Sequence, residues 1–106
     1  MKYCMVIVTF AGNDEAERII SGLFEKGLIA CAQLQDVRSR YIWKGELVRD
    51  EEVTAFLKTR ADMFEKIEVY IKSVHLYEVP EIIQLPIEKG TAEYLGWIDE
   101  CINEEK

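Results

Sequence analysis

The chain predicts an α+β fold, a ferredoxin-like β-α-β-β-α-β sandwich with an additional C-terminal helix. Three observations carry that expectation. Strand-like apolar runs and helical apolar stripes succeed one another in this order. No linker, low-complexity tract or tandem repeat interrupts the series. Hydrophobic residues make up 49% and charged residues 31% of 106, a composition that places residues 1–106 in one small globular domain.

Tyr3 to Phe10 is a nearly continuous apolar run, as expected of a central strand covered on at least one face. Beside Lys2 it imitates a signal peptide. However, Ala11-Gly12-Asn13-Asp14 leads into a helix without a cleavage-site pattern, so the run reads as a strand. Asp14 followed by Glu17 has the look of a capping box, and Ala16, Ile19, Ile20 and Leu23 recur at helical spacing. Gly27, just after Lys26, ends that helix. Leu28–Leu34 predicts a second strand and Val37–Trp43 a third, joined at Gln35-Asp36 as an antiparallel hairpin. Lys44-Gly45 is a turn signal, with Glu46-Leu47-Val48 a short returning strand. Acidic Asp50-Glu51-Glu52 separates it from a fourth main strand, Val53–Lys58.

Thr59 and Asp62 are expected to cap a second helix, whose Met63, Ile67, Tyr70, Ile71 and Val74 form an apolar stripe. His75 to Pro80 then bends the chain, because Pro80 disfavours helical geometry at Val79. Ile82–Ile87 reads as a strand, and Pro86, which has no amide proton, marks an edge or an end. A last helix starts at Thr91, with Leu95, Ile98, Cys101 and Ile102 on one face, and Glu104-Glu105-Lys106 is a solvated tail. Right-handed crossovers place the first two helices on one sheet face. The other face needs the last helix or another subunit, so oligomerisation is expected.

Net charge is −7, from 20 acidic and 13 basic side chains. Phosphate binding needs a basic surface, so nucleic acid is excluded as a partner. No apolar run approaches the roughly 20 residues of a membrane span, which excludes a membrane helix. Cys4, Cys31 and Cys101 are widely separated, odd in number and without a C-x-x-C pair, pointing to reduced thiols in the cytoplasm. There is no G-x-S-x-G elbow, no nucleophile motif around a cysteine and no glycine-rich phosphate loop, so no enzymatic activity is expected.

Several segments, in order along nearly the whole chain, resemble the CutA family of divalent-ion tolerance proteins. They are Val6-Ile7-Val8-Thr9, Leu28-Ile29-Ala30-Cys31-Ala32, Tyr41-Ile42-Trp43-Lys44-Gly45-Glu46 and Lys58-Thr59. His75-Leu76-Tyr77-Glu78-Val79-Pro80-Glu81-Ile82 follows, and then Gly90 through Tyr94-Leu95 to Trp97. The resemblance implies a ferredoxin-like subunit and a tight homotrimer joined edge to edge, similar in architecture to the PII signalling proteins. It also implies a link to copper and other divalent-metal tolerance, with no settled biochemical activity. Where the family usually has proline after the histidine, this chain has Leu76. That frees His75 from a backbone constraint, and the second helix is expected to run a residue or two further.

Divalent copper favours imidazole, the monovalent ion favours thiolate, and carboxylates complete sites for several metals. Cys31, His75 and Glu78 are therefore the candidate metal ligands. Each has a structural alternative. Cys31 sits between Ala30 and Ala32 as a small core residue, and His75 at a helix end can serve the last carbonyls. His75 and Glu78 have the i, i+3 spacing of helical neighbours, although Pro80 interrupts the helix there. Tyr41 and Trp43 share a strand face and, with Lys58 and Tyr77, are assigned to an intersubunit cleft; packing across a sheet extension is the alternative. Lys58, Arg60 and Arg38 could bind an anion there or pair with carboxylates. Glu78 and Glu81 flank Pro80 and are expected to face solvent or basic groups, while Tyr94 and Trp97 are expected to dock the last helix.

The expectation is a cytoplasmic homotrimer associated with divalent-metal tolerance. It binds metal, copper foremost, weakly or transiently and has no obligatory cofactor. The alternative is a PII-like sensor or adaptor holding a small anionic ligand or a protein partner at intersubunit clefts.

Overall fold

The computed structural model describes residues 2–102, so the tail expected at 104–106 lies outside the described residues. The elements are β1 (Tyr3–Phe10), α1 (Asn13–Glu25), β2 (Cys31–Trp43), β3 (Glu46–Arg60), α2 (Phe64–Val74), β4 (Ile82–Ile87) and α3 (Ala92–Cys101). A 3-10 turn, Ala61–Met63, leads into α2. The strands form one four-stranded sheet in the order β2-β3-β1-β4, antiparallel throughout. This is the α+β, ferredoxin-like arrangement expected from the order of elements.

The core follows from the period of two along β1. Cys4, Val6, Val8 and Phe10 are fully buried, while the residues between them are only partly so. In register beside them on β3 stand Thr59, Leu57, Ala55 and Val53, all buried. Ile19 and Leu23 of α1 and Ile67 and Ile71 of α2 close over this face, each fully buried. Each such aliphatic side chain contributes about 2 kcal/mol of transfer free energy. On the opposite face, the Tyr3 hydroxyl donates to Asp99 of α3 at 2.6 Å, which ties that helix down beside the start of β1.

Most element ends carry their expected devices. After α1, Gly27 takes φ 70°, its amide donates to Phe24 and the Leu28 amide donates to Leu23, the Schellman closure of a helix. Thr91 caps α3, its hydroxyl oxygen accepting from the Tyr94 amide. Pro86 lies on the edge strand β4, where a missing donor is tolerated.

Several expectations are corrected. The strands at Leu28–Leu34 and Val37–Trp43 are one strand, β2, which begins only at Cys31; Glu46–Val48 and Val53–Lys58 are likewise one strand, β3. Gln35 and Asp36 pair with Thr54 and Val53 instead of turning, because continuous pairing with β3 outweighs their turn preference. The reversal falls at Lys44-Gly45, both at positive φ (51° and 82°), a tight two-residue hairpin.

The capping residues also shift. Gly12 is the N-cap of α1, and Glu15, not the Asp14–Glu17 pair, reaches back to accept from the Ala11 amide at 3.1 Å. Met63, not Thr59 or Asp62, precedes α2. The buried Thr59 hydroxyl instead donates to the Leu28 carbonyl at 2.7 Å, and Asp62 receives the Arg60 guanidinium. Finally, α2 does not lengthen at Leu76. It ends at Val74, with His75 extended at φ −74° and ψ 142°.

Candidate functional site

The chain leaves α2 through a connection that is fastened from several sides. The His75 ring is fully buried and stacks on Phe10 at 5.2 Å, with planes 13° apart. Its Nε2 lies 2.8 Å from the Thr9 carbonyl oxygen, and its Nδ1 accepts from the Tyr77 amide at 3.0 Å. A carbonyl only accepts, so this geometry requires the neutral ring with its proton on Nε2. Both nitrogens are thereby used within the chain. Glu15, buried in the first turn of α1, accepts from the Leu76 amide at 2.7 Å and stands 3.6 Å from Nδ1. These bonds hold His75 extended without a following proline, which explains why α2 stops.

Beyond Val53 the β2–β3 pair has no third strand beside it, so Val37–Trp43 and Glu46–Glu52 form a two-stranded arm. One face of the arm carries Tyr41 and Trp43 from β2 with Asp50 and Glu52 from β3. The 75–81 connection passes beside that face, and a cleft of about 560 Å³ lies between them. Tyr77 joins the two walls, its hydroxyl donating to Glu52 at 2.6 Å. Burial, and then this bond to Glu52, hold the Tyr77 phenol well above its usual range. The Tyr41 hydroxyl donates to Asp50, which pushes its pKa up to about 12. Burial, followed by the charge of Glu52, raises the Glu81 carboxyl.

The structure gathers Tyr41, Trp43, Tyr77 and Glu78 around one cleft. It separates them from Cys31 and Lys58, which face each other in register roughly 20 Å away along β3. There the Lys58 ammonium donates to the Gln33 side chain, and Cys31 neighbours Tyr94, whose phenol is raised by burial and by that thiol. Within one chain, then, Cys31, His75 and Glu78 do not converge. Among the described residues no group of three or more His, Cys, Asp or Glu side chains is placed to hold a metal ion.

Sequence reasoning missed Glu52, Glu81 and Glu15 as site residues. Asp50 and Glu52 were legible as one strand face only if the acidic stretch is strand, and it reads as a turn. The local sequence shows at most the helix-start role of Glu15 at the Ala11 amide; nothing in it announces the second partner, the amide of Leu76.

A ferredoxin-like sheet with an open face, a projecting arm and an acidic, aromatic cleft at the arm's base defines the class of protein. Residues 4–101 match the family described as CutA1 divalent ion tolerance protein, and the chain belongs to that family. It is 40% identical over 96 residues to the divalent-cation tolerance protein CutA of Pyrococcus horikoshii, covering 91% of this chain and 94% of that one. The CutA homolog of Xenopus laevis is 41% identical over 98 residues, 92% of this chain and 65% of the relative. Among solved structures, CutA from Archaeoglobus fulgidus, described as periplasmic, superposes with a TM-score of 0.93 at 35% identity, covering 95% and 99% of the two chains. CutA1 from Oryza sativa gives 0.93 at 30% identity, covering 98% and 96%.

Proposed function

We propose that the chain works as a cytoplasmic homotrimer in divalent-metal tolerance, copper foremost, binding metal ions weakly and transiently and catalysing no reaction. The observation that carries this reading is the match of residues 4–101 to the divalent ion tolerance family. Assembly is supported by apolar surface left uncovered in the subunit. Ile42 and Leu47 near the arm tip are 69% and 59% exposed, and Ile83 and Leu85 stand exposed on the sheet face away from α1 and α2. A two-stranded ribbon gains little stability by itself in water, so a partner surface is the natural cover. Unpaired Cys4, Cys31 and Cys101 favour a reducing compartment.

Because both His75 nitrogens are engaged internally, metal contact falls to Glu78, Cys31 and neighbouring carboxylates supplied by more than one subunit. Such a dispersed donor set accounts for weak binding. The alternative is a PII-like sensor or adaptor holding a small anionic ligand or a protein partner at intersubunit clefts; the cleft within this chain, lined by Glu52, Glu78 and Glu81 together with Arg40, gives an anion little net attraction. Calorimetric titration of the reduced protein with copper tests the reading. Saturable heats that diminish in Glu78→Ala or Cys31→Ser are expected; heats no larger than dilution would contradict it.

A further inference from the structure

We propose that the outer face of the arm docks on the exposed face of α3 of a second copy, where Arg40 and Arg49 of one chain meet carboxylates of the next. The proposal rests on the homotrimer reading and deepens it by naming the two surfaces that meet. Alternation along the strands divides the arm's side chains between its faces. Tyr41, Trp43, Asp50 and Glu52 take the cleft side; Arg38, Arg40 and Ile42 of β2 and Leu47, Arg49 and Glu51 of β3 take the other. On that outer face Arg38 stands opposite Glu51. Arg40, however, stands opposite Arg49, and Ile42 opposite Leu47 near the tip. Like charges directly opposite one another destabilise a strand pair. Arg40 also touches the rim of the cleft, while Arg49 does not. Among the described residues neither arginine has a carboxylate within ion-pair distance, although the net charge of the chain is −7. The acidic surface of another copy can supply what the arm lacks.

A matching surface lies on α3. Ile98 is fully buried, and on the opposite side of the helix Glu93, Trp97 and Glu100 form an exposed stripe at i, i+4 and i+7. Among the described residues neither glutamate has a basic group within ion-pair distance. Trp97, between them, leaves 41% of its surface in solvent. The spacings of the two surfaces correspond. Along the arm the arginine pair and the Ile42–Leu47 pair are two residues apart, about 6.8 Å. Along α3 the step from Glu93 to Trp97 is about 6 Å. Glu100, about one turn past Trp97, then falls beside Lys44 at the hairpin turn. The indole covers the aliphatic pair that a lone chain leaves in water, and opposite charges meet on both sides of it. Because the two surfaces differ, the contact is head to tail, and a rotation that closes after three copies uses each surface once per chain.

The test is sedimentation equilibrium of the full chain beside Arg40→Glu/Arg49→Glu and Glu93→Lys/Glu100→Lys. Each reversal sets like charges face to face and should weaken association roughly tenfold at low salt. All four substitutions in one chain restore opposite charges and should recover most of the parent's affinity. The four positions are exposed, so circular dichroism should show unchanged helical content. If the arginine reversal fails to fold, Arg40→Gln/Arg49→Gln removes the charges without adding repulsion and should still weaken association; unchanged association there overturns the docking. So does unchanged association in either double reversal, or a combined chain that associates no better than the two. A trimeric parent with such variants overturns the docking alone and leaves the arm's outer face to another occupant. A monomeric parent overturns the homotrimer reading, and the docking with it.

Discussion

Strand β3 passes through two different environments, and comparing them shows what a single chain can and cannot stabilise alone. From Val53 to Arg60 it lies between β1 and β2 beneath α1 and α2, with Ala55, Leu57 and Thr59 fully buried. From Glu46 to Glu52 it has β2 alone beside it, and only Glu52 is buried. Hydrogen bonding is continuous across both halves. Burial is not. The inner half is held by its own core; the outer half has the ladder of a sheet but little of its hydrophobic support. The cleft lies where the two meet, and Tyr77 bonded to Glu52 is the clasp between them.

The comparison can be broken most forcefully in the inner half. Leu57→Ala removes a fully buried side chain and should cost about 2–5 kcal/mol in chemical denaturation. A cost below about 1 kcal/mol would mean that the inner half is not the stabilising one. His75→Ala should come next, losing about 2–4 kcal/mol through its two ring hydrogen bonds and its stacking on Phe10. Its copper heats should match the parent protein; a selective loss of heat with intact folding would restore His75 as a ligand. Tyr77→Phe leaves Glu52 without its donor and should cost about 1–2 kcal/mol, measured by the same denaturation.

The smallest effect is at the exposed Tyr41, and it sharpens the comparison through pH. Its folded pKa of about 12 lies above the ordinary phenol value. The stabilisation is therefore complete below the unfolded pKa near 10 and is lost as pH rises through about 12. Phenolate absorbance should show a component near 12 that disappears in Tyr41→Phe.

Much of the inner half was legible in the sequence. Tyr3–Phe10 and Ile82–Ile87 are the strands expected from their apolar runs, the signal-peptide look of the first having been set aside for want of a cleavage-site pattern. Gly27 and Thr91 end and start helices as their chemistry dictates. The arm was not legible as two long strands. Gln35-Asp36 and Asp50-Glu51-Glu52 have turn composition, and only the register of the partner strand makes them extended. The site divides along the same line. Tyr41 and Trp43 shared a face by simple alternation, and Tyr77 and Glu78 lay in the signature that passes the cleft. The role of His75 was hidden because its partners are backbone groups at Thr9 and Tyr77, which no residue type announces. Lys58 was assigned to an intersubunit cleft; within the chain, register sets it beside Gln33 and opposite Cys31.

The central claim is that the outer half and the open sheet face are completed by further copies of the chain. Sedimentation equilibrium of the protein at micromolar concentration, beside an Ile42→Ser/Leu47→Ser variant, tests it most directly. Three chains per particle for the parent, with weakened association in the variant and unchanged helical content, is the predicted result. A monomeric parent protein with a cooperatively folded, protease-resistant arm would contradict it.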